Sequence, residues 1–127
     1  MTNTEEALRS SRKFPNGTWV NQLGSEVTFT ADPLGGLHGE YCGGAGALVG
    51  HRYPVVGSFQ PDPVGHAVPV AFLVRWAEAH CLTTWCGHYF PDSGEIHATW
   101  LMSSEAETAD EWRSTMIGHD VFRRQES

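Results

Sequence analysis

Two polar residues, Asn21 and Ser25, interrupt the apolar, strand-like segment GTWVNQLGS at 17–25. Alternate side chains of a β-strand share a face, so both residues would lie on the face of Trp19. That face is expected to point inward, where amide and hydroxyl groups are costly unless something pairs with them. Their partners are therefore either backbone groups at the turn around Gly24 or a polar ligand.

Further polar side chains have inward parity on other strand-like segments, among them Tyr41, Thr83 and Asp120. An amide, a hydroxyl and a phenol can donate to one carbonyl oxygen, and a carboxylate can accept an N–H. Aspartate is rarely buried without a partner. An ion pair of Asp120 with Arg123 or Arg124 is the alternative, although strand parity is wrong for it.

Turn signals such as DPLGG at 32–36 and PDSGE at 91–95 divide the chain into short apolar segments. Strands are predicted at 18–23, 26–31, 36–42, 53–59, 67–76, 82–90, 95–102 and 113–123. Short strands joined in order by tight turns predict an all-β, eight-stranded antiparallel up-and-down β-barrel, with a sandwich as the alternative. The barrel domain is assigned to 17–124, with tails at 1–16 and 125–127.

Length and charge exclude several classes of partner. The 127 residues fit one domain, and 15 acidic against 8 basic residues give a net charge of −7. This balance argues against binding to nucleic acid or to an anionic membrane. No stretch approaches the roughly 20 apolar residues that span a bilayer. The first residues lack the apolar core of a secretory signal, so localisation stays open between the cytoplasm and secretion after signal removal.

The cysteines and histidines do not match a metal-binding motif, so neither a metal nor a cofactor is expected. Cys42 and Cys86 have outward parity and Cys81 lies near a strand end, so we expect free thiols, with an intramolecular disulfide as the alternative. His80 and Cys81 are the one neighbouring pair of base and nucleophile. Adjacent strand residues face opposite ways, so this pair does not predict an enzyme.

Four segments resemble the avidin and streptavidin family of biotin-binding proteins: GTWVNQLGS, HCLTTWCG, ATWLM and WRSTMIGHD. They occur in the family's order and approximate spacing, from about Gly17 to Arg123. The resemblance implies an eight-stranded barrel that binds biotin, free or attached to other molecules, tightly and without catalysis. Biotin would be its ligand rather than a cofactor.

The resemblance also implies a role for each polar residue. Asn21, Ser25 and Tyr41 would donate hydrogen bonds to the ureido oxygen of biotin. Asp120 would accept a hydrogen bond from one ureido N–H, and Thr83 would face the thioether sulfur. The other biotin-binding positions that it implies are Leu23, Trp76, Trp85 and Trp100.

Trp112 is expected to act on a different pocket from the other tryptophans. It follows an acidic loop, where a single barrel has little reason to bury it. The resemblance implies that it covers the ligand of a neighbouring subunit. A homotetramer with shared sites is therefore expected, with a dimer as the alternative assembly and a local hydrophobic plug as the alternative role of Trp112.

The open end of the predicted pocket departs from the family's pattern. Gly43 and Cys81 stand where the family has serines, and Ala47 aligns with a loop asparagine. Arg52 or N–H groups of the loop are the remaining candidates to hold the ligand's carboxylate. We expect the protein to bind the ureido head as the family does. We expect the charge of the ligand's carboxylate tail to contribute little to binding.

A second hypothesis retains the barrel but changes the ligand, as in lipocalin-like carriers of small apolar molecules. It predicts an apolar lumen that has no need of hydrogen-bonding groups. The polar set of Asn21, Ser25, Tyr41 and Asp120 argues against it, because a lipid carrier would not require four polar groups around a small ring.

Overall fold

A computed structural model describes residues 16–44, 50–62, 65–105 and 115–125. Within these ranges, eight antiparallel strands follow one another in sequence order around a closed barrel. They are β1 (Gly17–Val20), β2 (Glu26–Ala31), β3 (Gly36–Cys42), β4 (Arg52–Phe59), β5 (Val68–Trp76), β6 (Cys81–Phe90), β7 (Glu95–Ser104) and β8 (Thr115–Arg124). A short 3₁₀ turn, Ala77–Ala79, joins β5 to β6. The predicted all-β barrel is confirmed.

Side-chain alternation fills the barrel as the sequence predicts. Along β5, the inward side chains Val68, Val70, Phe72, Val74 and Trp76 are buried, whereas those between them are exposed. Burying one such apolar side chain contributes about 1.5–3 kcal/mol. The alternation therefore fixes which face of the strand forms the interior.

The first strand is shorter than predicted, and the reason is local. Asn21 Oδ1 accepts the main-chain N–H groups of Leu23 and Ser25, at 3.0 and 2.9 Å. This side chain therefore stabilises a turn in place of continued strand pairing. The turn includes Gly24, whose φ of 82° suits glycine. The prediction of a strand over 18–23 is wrong beyond Val20, and a turn rather than strand parity places Asn21 and Ser25.

The barrel closes through a short seam between β1 and β8. Trp19↔Arg124 and Val20↔Arg123 are its register pairs, and Gln125 N donates to Thr18 O at 2.8 Å, whereas β7 and β8 pair over nine positions. The seam is short because β1 ends at the turn. Main-chain groups further back along β8 consequently need other partners.

Several expectations fall outside the described residues, namely those on Ala47 and Trp112, on most of the 1–16 tail and on the start of the 113–123 strand. The three cysteines are all described, and their thiols are free, as expected. No helix in the described part of the chain is long and apolar enough to cross a membrane.

Gly87 permits a close approach of two strands that a larger residue would prevent. A Cβ atom there would lie 1.9 Å from the carbonyl oxygen of His97 on β7. We predict that Gly87→Ala destabilises the barrel by about 1–3 kcal/mol, because main chain must move. Urea denaturation measures this change. Gly65→Ala, where a Cβ would meet nothing within 4 Å, is the control. Equal midpoints for the two variants would contradict the prediction.

Candidate functional site

One end of the barrel holds an open cavity of about 590 Å³, within the range of small-molecule pockets. Most of its wall is aromatic or aliphatic, and a few polar side chains interrupt it. The structure brings all nine of the predicted site residues that it describes to this cavity. They are Asn21, Leu23, Ser25, Tyr41, Trp76, Thr83, Trp85, Trp100 and Asp120.

Three donor side chains converge on the cavity from β3 and from the turn between β1 and β2. Because Asn21 Oδ1 already accepts two main-chain N–H groups, its Nδ2 donors are left for the cavity side. Ser25 Oγ likewise accepts the N–H of Gly44 at 3.1 Å, so its own proton is directed to the cavity side. Both side chains are hydrogen bonded to the hydroxyl of Tyr41. The turn thus fixes the oxygens and directs the donors inward.

Burial keeps Tyr41 in its protonated, donating form. Removal of the phenol from water raises its pKa, and the negative charge of Asp120 raises it further. Hydrogen bonds from Ser25 and Asn21 act in the opposite direction but are outweighed. The phenol can therefore donate a hydrogen bond across the whole neutral pH range.

Asp120, on β8, is a buried carboxylate whose two oxygens are each held by a donor. Trp85 Nε1 donates to Oδ2 at 2.8 Å, and Gln22 Nε2 donates to Oδ1 at 2.9 Å. Each oxygen keeps a second lone pair, so the group can still accept from a ligand. The alternative ion pair with Arg123 or Arg124 is wrong, because Arg123 Nε pairs with Glu95 at 2.6 Å and the Arg124 guanidinium lies over the ring of Trp19.

The aromatic residues form a continuous braced wall. Tyr41 stacks on Trp85 with ring centroids 5.3 Å apart, and meets Trp76 edge to face at 5.2 Å. Phe72 stacks on the other side of Trp85 at 4.9 Å, and Tyr53 meets Trp76 at 4.8 Å. Such contacts favour fixed ring orientations, so the cavity wall is formed before any ligand arrives.

Thr83 is oriented by a tryptophan. Trp76 Nε1 donates to Thr83 Oγ1 at 2.8 Å in the buried wall. The hydroxyl proton of Thr83 therefore remains free to point at a weak acceptor in the cavity.

The mouth of the cavity is less polar than its inner end. Leu23 lines the opening and is 65% exposed there, although strand alternation from Trp19 would place it inside the barrel. Arg52 lies on the outer face and pairs with Glu40 at 3.3 Å. Cys81 also lines the opening, and burial raises the pKa of its thiol, which disfavours the thiolate.

Sequence reasoning missed Gln22, because in a continuous strand the neighbour of an inward-facing Asn21 would face outward. The residue lies in the turn, where its side chain reaches Asp120. Its Oε1 also accepts the N–H of Val121 at 3.2 Å. The contact joins residues 98 positions apart in the chain, so no local sequence pattern predicts it.

The fold and this cavity define a closed eight-stranded β-barrel with a pocket of small-molecule size at one end. The model of the avidin family matches residues 9–125, and the chain belongs to that family. Avidin of Gallus gallus is 29% identical over 115 residues, which cover 85% of this chain and 76% of the avidin chain. The family resemblance found in the four sequence segments is confirmed.

Gly118 on β8 makes room for the indole of Trp100. A Cβ at this position would lie 2.1 Å from Trp100 Cζ2. We predict that Gly118→Ala displaces this ring and changes the wall of the cavity. In NMR spectra, the indole N–H signal of Trp100 should shift, whereas that of the hydrogen-bonded indole of Trp76 should change little. An unmoved Trp100 signal would refute this account of Gly118.

Proposed function

We propose that this protein is a non-catalytic binding protein that holds biotin tightly and without a covalent bond in the open end of the barrel. One observation carries the proposal: three buried donors and one buried carboxylate acceptor share a cavity with aromatic walls. A cyclic urea is their complement, because it presents a carbonyl oxygen between two N–H groups.

The donor end suits the ureido oxygen. Asn21, Ser25 and Tyr41 offer an amide, a hydroxyl and a phenol, and a carbonyl oxygen can accept from several donors. Main-chain groups hold the oxygens of Asn21 and Ser25 before binding. Donors that need no reorganisation lose little entropy when the ligand arrives. Together these features support assignment of this end to the urea carbonyl.

The acceptor end suits a ureido N–H. A hydrogen bond to the charged Asp120 contributes about 1.5–3 kcal/mol, against roughly 0.5–1.5 kcal/mol for a neutral one. An ionised acceptor also polarises the urea toward the donors at its opposite end. The two ends are therefore expected to reinforce each other.

The remaining ligand surface is apolar and matches the wall. Trp76, Trp85 and Trp100 would enclose the bicyclic ring and the aliphatic chain, with Thr83 directed at the sulfur. Gly43 supplies no hydroxyl for the second ureido N–H, and one missing neutral hydrogen bond costs about 1 kcal/mol, roughly fivefold in affinity. Tight binding is still expected, since the four polar groups and the indole wall are intact.

The environments of His80 and Cys81, the neighbouring base and nucleophile, agree with a binding role rather than a catalytic one. The pKa of the Cys81 thiol is raised by burial, so the thiolate that would attack a substrate is disfavoured. His80 Nδ1 lies 3.3 Å from Glu105 Oε2, and both side chains are largely exposed. Neither residue has the environment of an activated nucleophile and its base.

We also propose that the protein assembles into a homo-oligomer, a homotetramer being the favoured form. An outer stripe, defined here as Val56, Leu73, Thr84, Leu101 and Ile117, joins register partners from β4 to β8. The four aliphatic side chains of this stripe are exposed. The next row, Ser58, Ala71, Cys86, Thr99 and His119, carries no acidic, lysine or arginine side chain either.

A second copy of the same chain fits this face best. An uncharged face lets two copies, each of net charge −7, meet without opposing carboxylates. Depletion of charge is typical of interface centres, and a two-fold contact pairs a patch with itself. Trp112, which would complete a neighbour's site, lies outside the described residues and remains a prediction.

Retention on biotin-agarose, and its loss with competing free biotin, tests the ligand directly.

We predict that Asp120→Ala weakens biotin binding about 10- to 100-fold by calorimetry, because a charge-assisted hydrogen bond is lost. Asp92→Ala, an exposed carboxylate in a loop, is the control. Titration with an amide-linked biotin measures how much the charge of the carboxylate tail contributes to the affinity.

Two outcomes would overturn the assignment. If the unmodified protein is not retained on the resin, the biotin proposal fails. If instead it takes up a fatty acid and ignores biotin, the lipocalin-like alternative is favoured.

The outer stripe gives a separate prediction about assembly. Leu101→Glu and Ile117→Glu should shift native mass spectra from oligomer to smaller species, because each places charge in an apolar contact. Leu34→Glu is the control, since Leu34 is exposed in the turn between β2 and β3. A monomeric unmodified protein would contradict the proposed oligomer.

A further inference from the structure

Gln22 completes the barrel seam where β1 has ended. Its Nε2 donates to the carbonyl oxygen of His119 at 3.3 Å, and its Oε1 accepts the N–H of Val121 at 3.2 Å. Both main-chain groups lie on β8, further back along the strand than the Val20↔Arg123 pair. The side-chain amide of Gln22 thus takes the place of a main-chain neighbour.

The same amide also holds the buried carboxylate. An amide nitrogen has two protons, and Gln22 uses one for His119 O and the other for Asp120 Oδ1 at 2.9 Å. With its oxygen bonded to Val121, the orientation of the amide is fixed on three sides. Although the Gln22 side chain is exposed, all three hydrogen bonds therefore hold its amide at the end of the cavity where Asp120 lies.

We infer that Gln22 is a positioning residue of the site: it ties closure of the barrel seam to the orientation of the Asp120 carboxylate. Gln22 and Trp85 each occupy one carboxylate oxygen and together set the rotation of the group. The remaining lone pairs then face the cavity in one direction. The part of this inference that concerns affinity rests on the proposed binding of biotin.

Two variants separate positioning from simple closure of the seam. Gln22→Met removes the amide but keeps the length, and should weaken biotin binding about tenfold at every pH. Gln22→Glu keeps the acceptor for Val121 but sets a second carboxyl beside Asp120. It should bind more weakly than Gln22→Met at pH 8, where both carboxyls are charged. Near pH 5 it should bind more tightly than Gln22→Met, because a shared proton restores the hydrogen bond.

Comparing Gln22→Glu with Gln22→Met at the same pH controls for the other titrating groups. Among the described residues, Tyr41 on β3 and His119 beside Asp120 are the titratable neighbours, and both variants retain them. The ratio of the two variants' affinities therefore reports on position 22. Gln60→Glu, which adds the same charge at an exposed site, should bind like the unmodified protein. If both Gln22 variants lose the same factor at every pH, or lose nothing, the positioning role is wrong.

A measurement without ligand tests the contact independently of biotin. In NMR spectra of the free protein, the side-chain amide protons of Gln22 should exchange with water more slowly than those of Gln60, and Asp120→Ala should remove much of this protection. Gln22 amide protons that exchange as fast as those of Gln60, or whose exchange Asp120→Ala leaves unchanged, would overturn the inference. Failure of the unmodified protein to bind biotin would overturn the proposed function alone, and the amide signals would still decide the role of Gln22.

Discussion

A carboxylate in a cavity walled by indole rings is stable only if donors replace the water that it has lost. Asp120 is 6% exposed, and an unpaired charge there would cost several kcal/mol. Trp85 and Gln22 supply the compensating hydrogen bonds, one to each oxygen. Because these donors come from different elements, the carboxylate also links β6 and the turn after β1 to β8. The charge that suits a ligand N–H is thus built into the closure of the barrel.

The aromatic residues solve a related problem, that of keeping a cavity open inside a hydrophobic core. Away from the cavity, Trp19, Val27 and Phe122 are fully buried inside the barrel. At the open end, Tyr41, Trp76 and Trp85 brace one another at ring distances of 5.2–6.4 Å. Rigid rings held on two sides cannot fold into the space between them. The pocket is therefore the part of the core that ring geometry leaves unfilled.

Features of the site were predictable from the sequence where a local period governs them. The two-residue period of β5 places Phe72 and Trp76 inside, and turn residues mark the ends of most strands. The prediction was wrong after Val20, because the Asn21 side chain competes with strand pairing for main-chain N–H groups. Strand alternation therefore does not describe Leu23, which is exposed at the opening, or Gln22, whose side chain reaches Asp120. The role of Gln22 depends on its distance from β8 in space, which no local pattern encodes.

The turn between β1 and β2 consequently controls both ends of the site. Asn21 directs its donors to the cavity from this turn, and the next residue, Gln22, holds the acceptor Asp120. The two contacts use side chains, yet each depends on main-chain bonds that set the shape of the turn, such as Asn21 N to Ser25 O at 3.0 Å. A change in the length of this turn would therefore disturb donors and acceptor together. One short segment therefore supplies two donors of the pocket, Asn21 and Ser25, and the residue that holds its acceptor, whereas the apolar wall comes from strands around the barrel.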